Sequence, residues 1–247
     1  MAAAAALLGA LIGSFLNVVI HRVPLGESLV SPGSHCPSCG AAVRTRDNVP
    51  VLSWLLLRGR CRDCGAPISP RYPIVEAITA AAFAGVVLAR GFDDDLWLEL
   101  PFVACLIALA GIDLDHKLLP NKIVYPMAVY GVVASALVDS GDLVEHLAAG
   151  AGAFVFLLLA VLAYPAGMGM GDVKLGGAMG VYLGLSIIPA MLVAFLTGTI
   201  FGLAIIAREG AQARKKAVPF GIFLAIGGLV GVLAGPELID AYKSTFL

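Results

Sequence analysis

Eight long apolar stretches constrain this chain more than anything else in it. They run near residues 1–20, 73–90, 96–112, 123–138, 143–164, 174–189, 190–207 and 220–239. A helix needs about 17–25 mostly apolar residues to cross a bilayer, and each stretch reaches or approaches that length. Only 13% of the 247 residues are charged and 60% are hydrophobic. A soluble chain of this size would need about 25% charged residues to cover its surface. The expected fold is therefore all-α and polytopic, with about eight transmembrane helices. The division between the sixth and seventh stretches rests on Pro189 alone. One broken helix there would send the C-terminus to the other side.

Basic residues give the direction. With the N-terminus outside, the inner loops fall near residues 21–72, 113–122, 165–174 and 208–219. They hold every basic residue but Arg90 and Lys243 out of 16. Cytoplasmic loops of membrane proteins carry such an excess. The outer loops are acidic, with Asp93, Asp94, Asp95, Asp139, Asp142 and Glu145. Residues 1–20 carry no positive charge before Arg22, whereas a cleaved secretory leader begins with one. They are expected to stay as the first span, and both termini to lie outside. The organisation expected is a first helix over 1–20, a cytoplasmic module over 21–72 and a membrane-embedded domain over 73–247. The net charge of −1 and the lack of a basic stripe give no indication of a nucleic-acid partner; the bilayer is the expected one.

The module carries Cys36-Pro-Ser-Cys39 and Cys61-Arg-Asp-Cys64. Two such knuckles supply four thiolates to one tetrahedral zinc. Gly40 and Gly65 follow the knuckles and permit the tight turn each requires. The arginines nearby are expected to favour the thiolates. The competing reading, two disulfides, requires an oxidising compartment that the charge bias argues against. Four protein ligands leave no open position, so the zinc would be structural. Cys105, inside a span, reads as a small buried apolar residue.

Three acids stand at the inner membrane face. Asp113 and Asp115 lie in Gly-Ile-Asp-Leu-Asp-His-Lys-Leu-Leu-Pro-Asn, residues 111–121, and Asp172 in Gly-Met-Gly-Met-Gly-Asp-Val-Lys, residues 167–174. Ionisable groups at membrane depth are costly and mark function. Two carboxylates brought together share a proton, which offers a general base and a general acid at once. Asp113 and Asp172 are the expected catalytic pair, with Asp115 the alternative to Asp113. Gly167, Gly169 and Gly171 are expected to free the backbone beside Asp172 for water and an extended substrate. Lys174 is expected at lipid headgroups or the substrate backbone. Glu76 is either a charge at a helix N-terminus or a functional group. Separation in sequence leaves open that the three aspartates are unrelated interfacial caps.

Gly169-Met-Gly-Asp172 resembles the signature of GxGD membrane aspartic proteases. Gly13-Ser-Phe-Leu-Asn-Val-Val-Ile-His-Arg-Val-Pro24, the two cysteine knuckles, Ile68-Ser-Pro-Arg-Tyr-Pro-Ile-Val-Glu76 and Asp113 through Asn121 follow in the order of bacterial type IV prepilin peptidases. The resemblance implies removal of the basic leader from type IV prepilins or from pseudopilins of secretion machinery. It also implies N-methylation of the new terminus with S-adenosylmethionine, for which the residues give no independent fingerprint: the glycine run opens no βαβ unit. It places the catalytic acids on Asp113, with Pro120 seven residues on, and on Asp172. Asn121 departs from the Asp that bacterial members commonly carry. The alternative function is a transporter with a structural zinc module, since buried acids and glycine-broken helices occur there too.

Overall fold

The computed structural model describes residues 1–138, 141–165, 167–210 and 218–246. Asp139, Arg214, Lys215 and Lys216, used above for orientation, lie outside them. Nine α-helices occur among the described residues: α1 Ala2–Leu25, α2 Leu52–Leu56, α3 Arg71–Arg90, α4 Leu96–His116, α5 Asn121–Val138, α6 Leu143–Ala163, α7 Met170–Leu183, α8 Ile187–Glu209 and α9 Gly221–Phe246. The described residues form no strand, only two isolated bridges. Among the described residues, seven apolar runs are long enough to cross a membrane, the longest being Met170–Glu209. Large apolar side chains such as Leu7, Leu88, Leu137, Leu159 and Leu203 are exposed on them. In water such surface would drive aggregation; in lipid it is the solvated face.

The chain divides into two compact units, Met1–Leu88 and Ala89–Leu247. In the first, α1 packs antiparallel on α3. A Cβ added at Gly9 would stand 2.6 Å from the Thr79 carbonyl oxygen, and one at Gly13 would stand 2.7 Å from the Glu76 Cα. This Gly-x-x-x-Gly face lets the two backbones approach, which is how helices associate where lipid removes the hydrophobic incentive. Asn17 Nδ2 donates to the Tyr72 carbonyl at 3.1 Å and closes the pair at its far end.

The segment between α1 and α3 is held mostly by polar contacts. Arg22 donates to the carbonyls of Ser28 and Pro32, at 2.9 and 2.7 Å. The Trp54 indole donates to the Ile68 carbonyl at 3.1 Å. Between residues 26 and 70 only Ser53 and Gly59 are buried. No apolar side chain there lies in a core.

In the second unit, α6 and α7 pack through Gly150, Gly177 and Gly180; a Cβ at Gly180 would meet the Ala149 carbonyl oxygen at 2.6 Å. Phe102 of α4 stacks on Tyr182 of α7 with centroids 4.5 Å apart. The run Met170–Glu209 is a hairpin. Met179, Leu183 and Ser186 meet Gly228, Gly231 and Gly235 in turn, so α7 runs parallel to α9. Ala190 meets Gly227 and Gly231, and Gly198 meets Phe223, so α8 runs back. The run is thus two antiparallel helices, which with the six other long apolar helices gives the eight expected. The break differs from the expected one. It falls at Gly184–Ser186, where Gly184 takes φ 51°. Pro189 sits in the first turn of α8, where its missing N–H costs no helical hydrogen bond.

Candidate active site

Asp113 is buried near the end of α4, 5% exposed, and Asp172 is buried in the first turn of α7, 8% exposed. Lys117 caps α4 in the left-handed conformation, φ 51°, and donates its N–H to the Asp113 carbonyl at 2.9 Å. That turn carries the chain back so that Leu119 is buried. Leu119 then lies between two glycines. A Cβ at Gly171 would stand 3.0 Å from its Cβ, and one at Gly221 would stand 2.9 Å from its Cδ2. The start of α7, the end of α4 and the start of α9 meet here.

Each carboxylate is aimed by main-chain donors. The Gly221 N–H donates to Asp113 Oδ2 at 2.8 Å. The Gly169 N–H donates to Asp172 Oδ2 at 2.9 Å, the reach-back that an acid at the third helical position makes to its N-cap. Asp172 caps α7, and the glycines beside the two acids, Gly171 and Gly221, pack on the same Leu119.

The supporting residues fall differently. Asp115 is exposed on the same turn as Asp113. Gly169 is the extended N-cap of α7, and Gly171 is helical. None of Gly167, Gly169 and Gly171 has positive φ. Their smallness serves close approach: Gly171 to Leu119, Gly167 to the Tyr164 ring. Lys174 donates to Asn121 Oδ1 at 3.1 Å and lies 5.3 Å from the centroid of the Tyr125 ring. Glu76 is past the first turn of α3, so it is no N-terminal charge. It is buried, and its Oε2 accepts from the Val51 N–H at 2.6 Å. Val51 takes φ 61°, rare for a β-branched residue, so Glu76 fixes the entry to α2.

Sequence reasoning missed Gly221. Its only local signal is Pro219-Phe-Gly ahead of the last span. A Cβ there would come within 2.8 Å of Asp113 Oδ2. Gly221→Ala is expected to lower the rate of any chemistry at Asp113 about 10–100-fold by moving that carboxylate, with overpacking costing about 1–3 kcal/mol of stability. Initial rates and thermal unfolding of the purified variant check this. An unchanged rate would show that the aim of Asp113 does not depend on that amide.

The four module cysteines come together as well. Their sulfurs lie within 4.8 Å of one another, and all are free thiols. The two knuckles repeat one geometry. The N–H groups of Gly40 and Gly65 donate to the Cys36 and Cys61 carbonyls at 2.8 and 2.9 Å, with φ 72° at both glycines. Cys36 Sγ is 3.8 Å from Cys64 Sγ. Sulfurs bound tetrahedrally at about 2.3 Å stand about 3.8 Å apart, so the cluster fits a metal. The arginines act otherwise than expected. Arg62 binds Asp47 in bidentate fashion at 2.6–3.0 Å, and Arg44 binds Asp63 at 2.6 Å. Arg62 holds the Asp47 carboxyl below its ordinary range. The Cys39 and Ser38 amides, not arginines, pull the Cys36 thiol down to about 6.

With this geometry in place, comparison with known proteins identifies the lineage. Residues 7–90 match the model of the bacterial peptidase A24 N-terminal domain, and residues 100–206 that of the type IV leader peptidase family. The chain belongs to the type IV leader peptidase family. It is 38% identical to the prepilin leader peptidase/N-methyltransferase of Aeromonas hydrophila, over 96% of this chain and 92% of that protein. The Pseudomonas aeruginosa protein of the same name is 34% identical over 96% of this chain and 91% of its own length. The type 4 prepilin-like proteins leader peptide-processing enzyme of Escherichia coli is 38% identical, over 91% and 90%. No solved structure matches the chain. Members of this family are peptidases, and the transporter alternative has no support among these relatives. The polytopic fold and the four-cysteine cluster both stand as expected.

Proposed function

We propose that this chain is an aspartic endopeptidase of the bacterial inner membrane, removing the leader from type IV prepilins or pseudopilins at the cytoplasmic face. The observation that carries the reading is the seating of Asp113 and Asp172 on glycine amides about a single leucine, at one end of the bundle. One aspartate, ionised, takes a proton from water as that water attacks the scissile carbonyl. The other, protonated, gives its proton to the departing amine. The pair shares the proton, so its titration belongs to both. Burial keeps the peptide bond from bulk water while two backbone amides hold the acids in place.

Orientation follows from charge. Lys117, Lys122, Lys174 and Arg208 cluster in sequence about the inner ends of the spans, which puts the aspartates in the cytoplasmic leaflet and both termini outside. A basic leader stays inside by the same rule, so its junction meets the pair while the pilin helix remains in lipid. The partition into 1–20, 21–72 and 73–247 assigns the module to support and the rest to chemistry. The module metal is zinc, held by Cys36, Cys39, Cys61 and Cys64, and it is structural. N-methylation of the new amine, with S-adenosylmethionine as donor, follows the names of the relatives.

Co-expression with a prepilin, followed by mass spectrometry of the pilin N-terminus, tests this directly. The expected product lacks the leader and carries one added methyl group. A leaderless but unmethylated product would remove the second activity alone; an intact leader would remove the peptidase.

A further inference from the structure

The short helix α2 presents an apolar face that the fold leaves bare. Leu52, Leu55 and Leu56 are 58%, 57% and 83% exposed. They stand three and four residues apart, on one face of the helix. The opposite face is tied down. Ser53 is buried and donates to the Arg46 carbonyl at 3.1 Å. The Trp54 ring packs on Gly59, and its indole N–H donates to the Ile68 carbonyl at 3.1 Å. Three adjoining bare leucines on so small a segment mark a contact surface.

The depth of α2 says what covers them. The span α3 runs from Arg71 to Arg90, 20 residues. That is about 30 Å of helix, the thickness of a hydrocarbon core. An arginine thus stands at each boundary. Glu76 lies five residues inside the first boundary, about 7.5 Å along the axis. Its Oε2 accepts the Val51 N–H at 2.6 Å. Even with the Glu76 side chain laid straight back along the helix, Val51 stands level with Arg71. The start of α2 is therefore at the membrane boundary or inside it. The bond from Trp54 to Ile68, three residues ahead of α3, keeps the rest of the helix within about 10 Å of that level. Interfacial helices bury their apolar face about 5–10 Å into the boundary of headgroups and acyl chains.

Charge names the lipid. From α2 the chain turns through Arg58, φ 52°, and Gly59, φ 67°, to Arg60. Both arginines are exposed. Among the described residues neither pairs with an acid, since Arg62 and Arg44 engage Asp47 and Asp63. Leucines flanked by two unengaged guanidinium groups complement an anionic bilayer surface, where phosphates accept their N–H groups. We propose that α2 lies in the interface of the inner leaflet and seats the segment between α1 and α3 there. Leu52, Leu55 and Leu56 stand among acyl chains, and Arg58 and Arg60 bind the phosphates of anionic phospholipid. The choice of leaflet follows the orientation proposed above; the contact itself depends on neither that orientation nor peptidase activity.

The test is photocrosslinking of the full chain in nanodiscs of phosphatidylcholine and phosphatidylglycerol with matched acyl chains. p-Benzoylphenylalanine replaces Leu52 in one variant and Leu56 in another, both exposed sites where packing is undisturbed. The same replacement at Leu88, exposed on the spanning α3, is the lipid-facing reference. Mass spectrometry of the α2 peptide identifies what each site has captured. Lipid adducts are expected at both, with phosphatidylglycerol about fivefold above its share of the bilayer. Arg58→Gln combined with Arg60→Gln should return that ratio to the bulk share while lipid adducts persist, because the leucines remain. Adducts confined to this chain or to a second copy would assign the face to protein and overturn the proposal. So would a lack of adducts at both positions while Leu88 captures lipid, or a phosphatidylglycerol excess that is absent or survives loss of both arginines.

Discussion

Asn in place of Asp113 or of Asp172 is expected to stop leader removal while leaving the protein inserted and folded. Both side chains accept a main-chain N–H through Oδ2, from Gly221 and Gly169. The Asn carbonyl oxygen can accept the same bond, so the structural duty survives. The chemistry does not, because a carboxamide neither takes a proton from water nor gives one to an amine at neutral pH. Positioned acid–base groups contribute about 10²–10⁴-fold each, so the loss should reach about a thousandfold. The double variant should be little worse than either single one, because residues that act as a unit are not additive. Asp115→Asn, on an exposed side chain, should retain processing. Cleavage of a co-expressed prepilin, read against the amount of enzyme in the membrane, measures all four. Full processing by either single variant would falsify the pair; loss confined to Asp115→Asn and Asp172→Asn would move the first acid to Asp115.

The seats of these acids show what a sequence carries and what it does not. The eight long helices were legible because lipid imposes a length and a composition on a span, although α7 ends six residues before its expected bound and α9 seven after; the short α2 was not foreseen. The knuckles were legible because four thiols at short spacing have few uses. Asp113 and Asp172 were conspicuous as acids at membrane depth. Their holders were not. Gly221 lies 108 residues from Asp113, and nothing local to either announces the bond. Glu76 suffers the same blindness: its partner is a backbone N–H 25 residues away, on a residue with an uncommon φ. Pro189 misled for a different reason. Proline breaks a helix interior but is tolerated in a first turn, and the actual reversal needed Gly184. The arginines of the module were read as partners for thiolates because charge was counted without geometry. Asp47 and Asp63 engage two of them first.

Removing the metal should have the largest structural effect of any single change. No apolar side chain between residues 26 and 70 is fully buried, so the segment has only a small hydrophobic term to offset its conformational entropy. Its ion pairs, Arg62–Asp47 and Arg44–Asp63, involve partly exposed groups, and such pairs contribute little. What remains is four thiols within 4.8 Å of one another, a cluster that fits a bound ion. Chelation, or Cys61→Ser, should therefore unfold this segment while α4–α9 stay folded. Hydrogen exchange should report it as a loss of protection, about a hundredfold or more, at the Gly40 and Gly65 amides, and metal analysis as a fall from about one zinc per chain. Resistance to chelators with sensitivity to thiol reductants would replace the metal by two disulfides. Protection that survives both treatments would mean that the two knuckles hold by backbone hydrogen bonds alone, which the absence of a core makes physically untenable for a loop of this length.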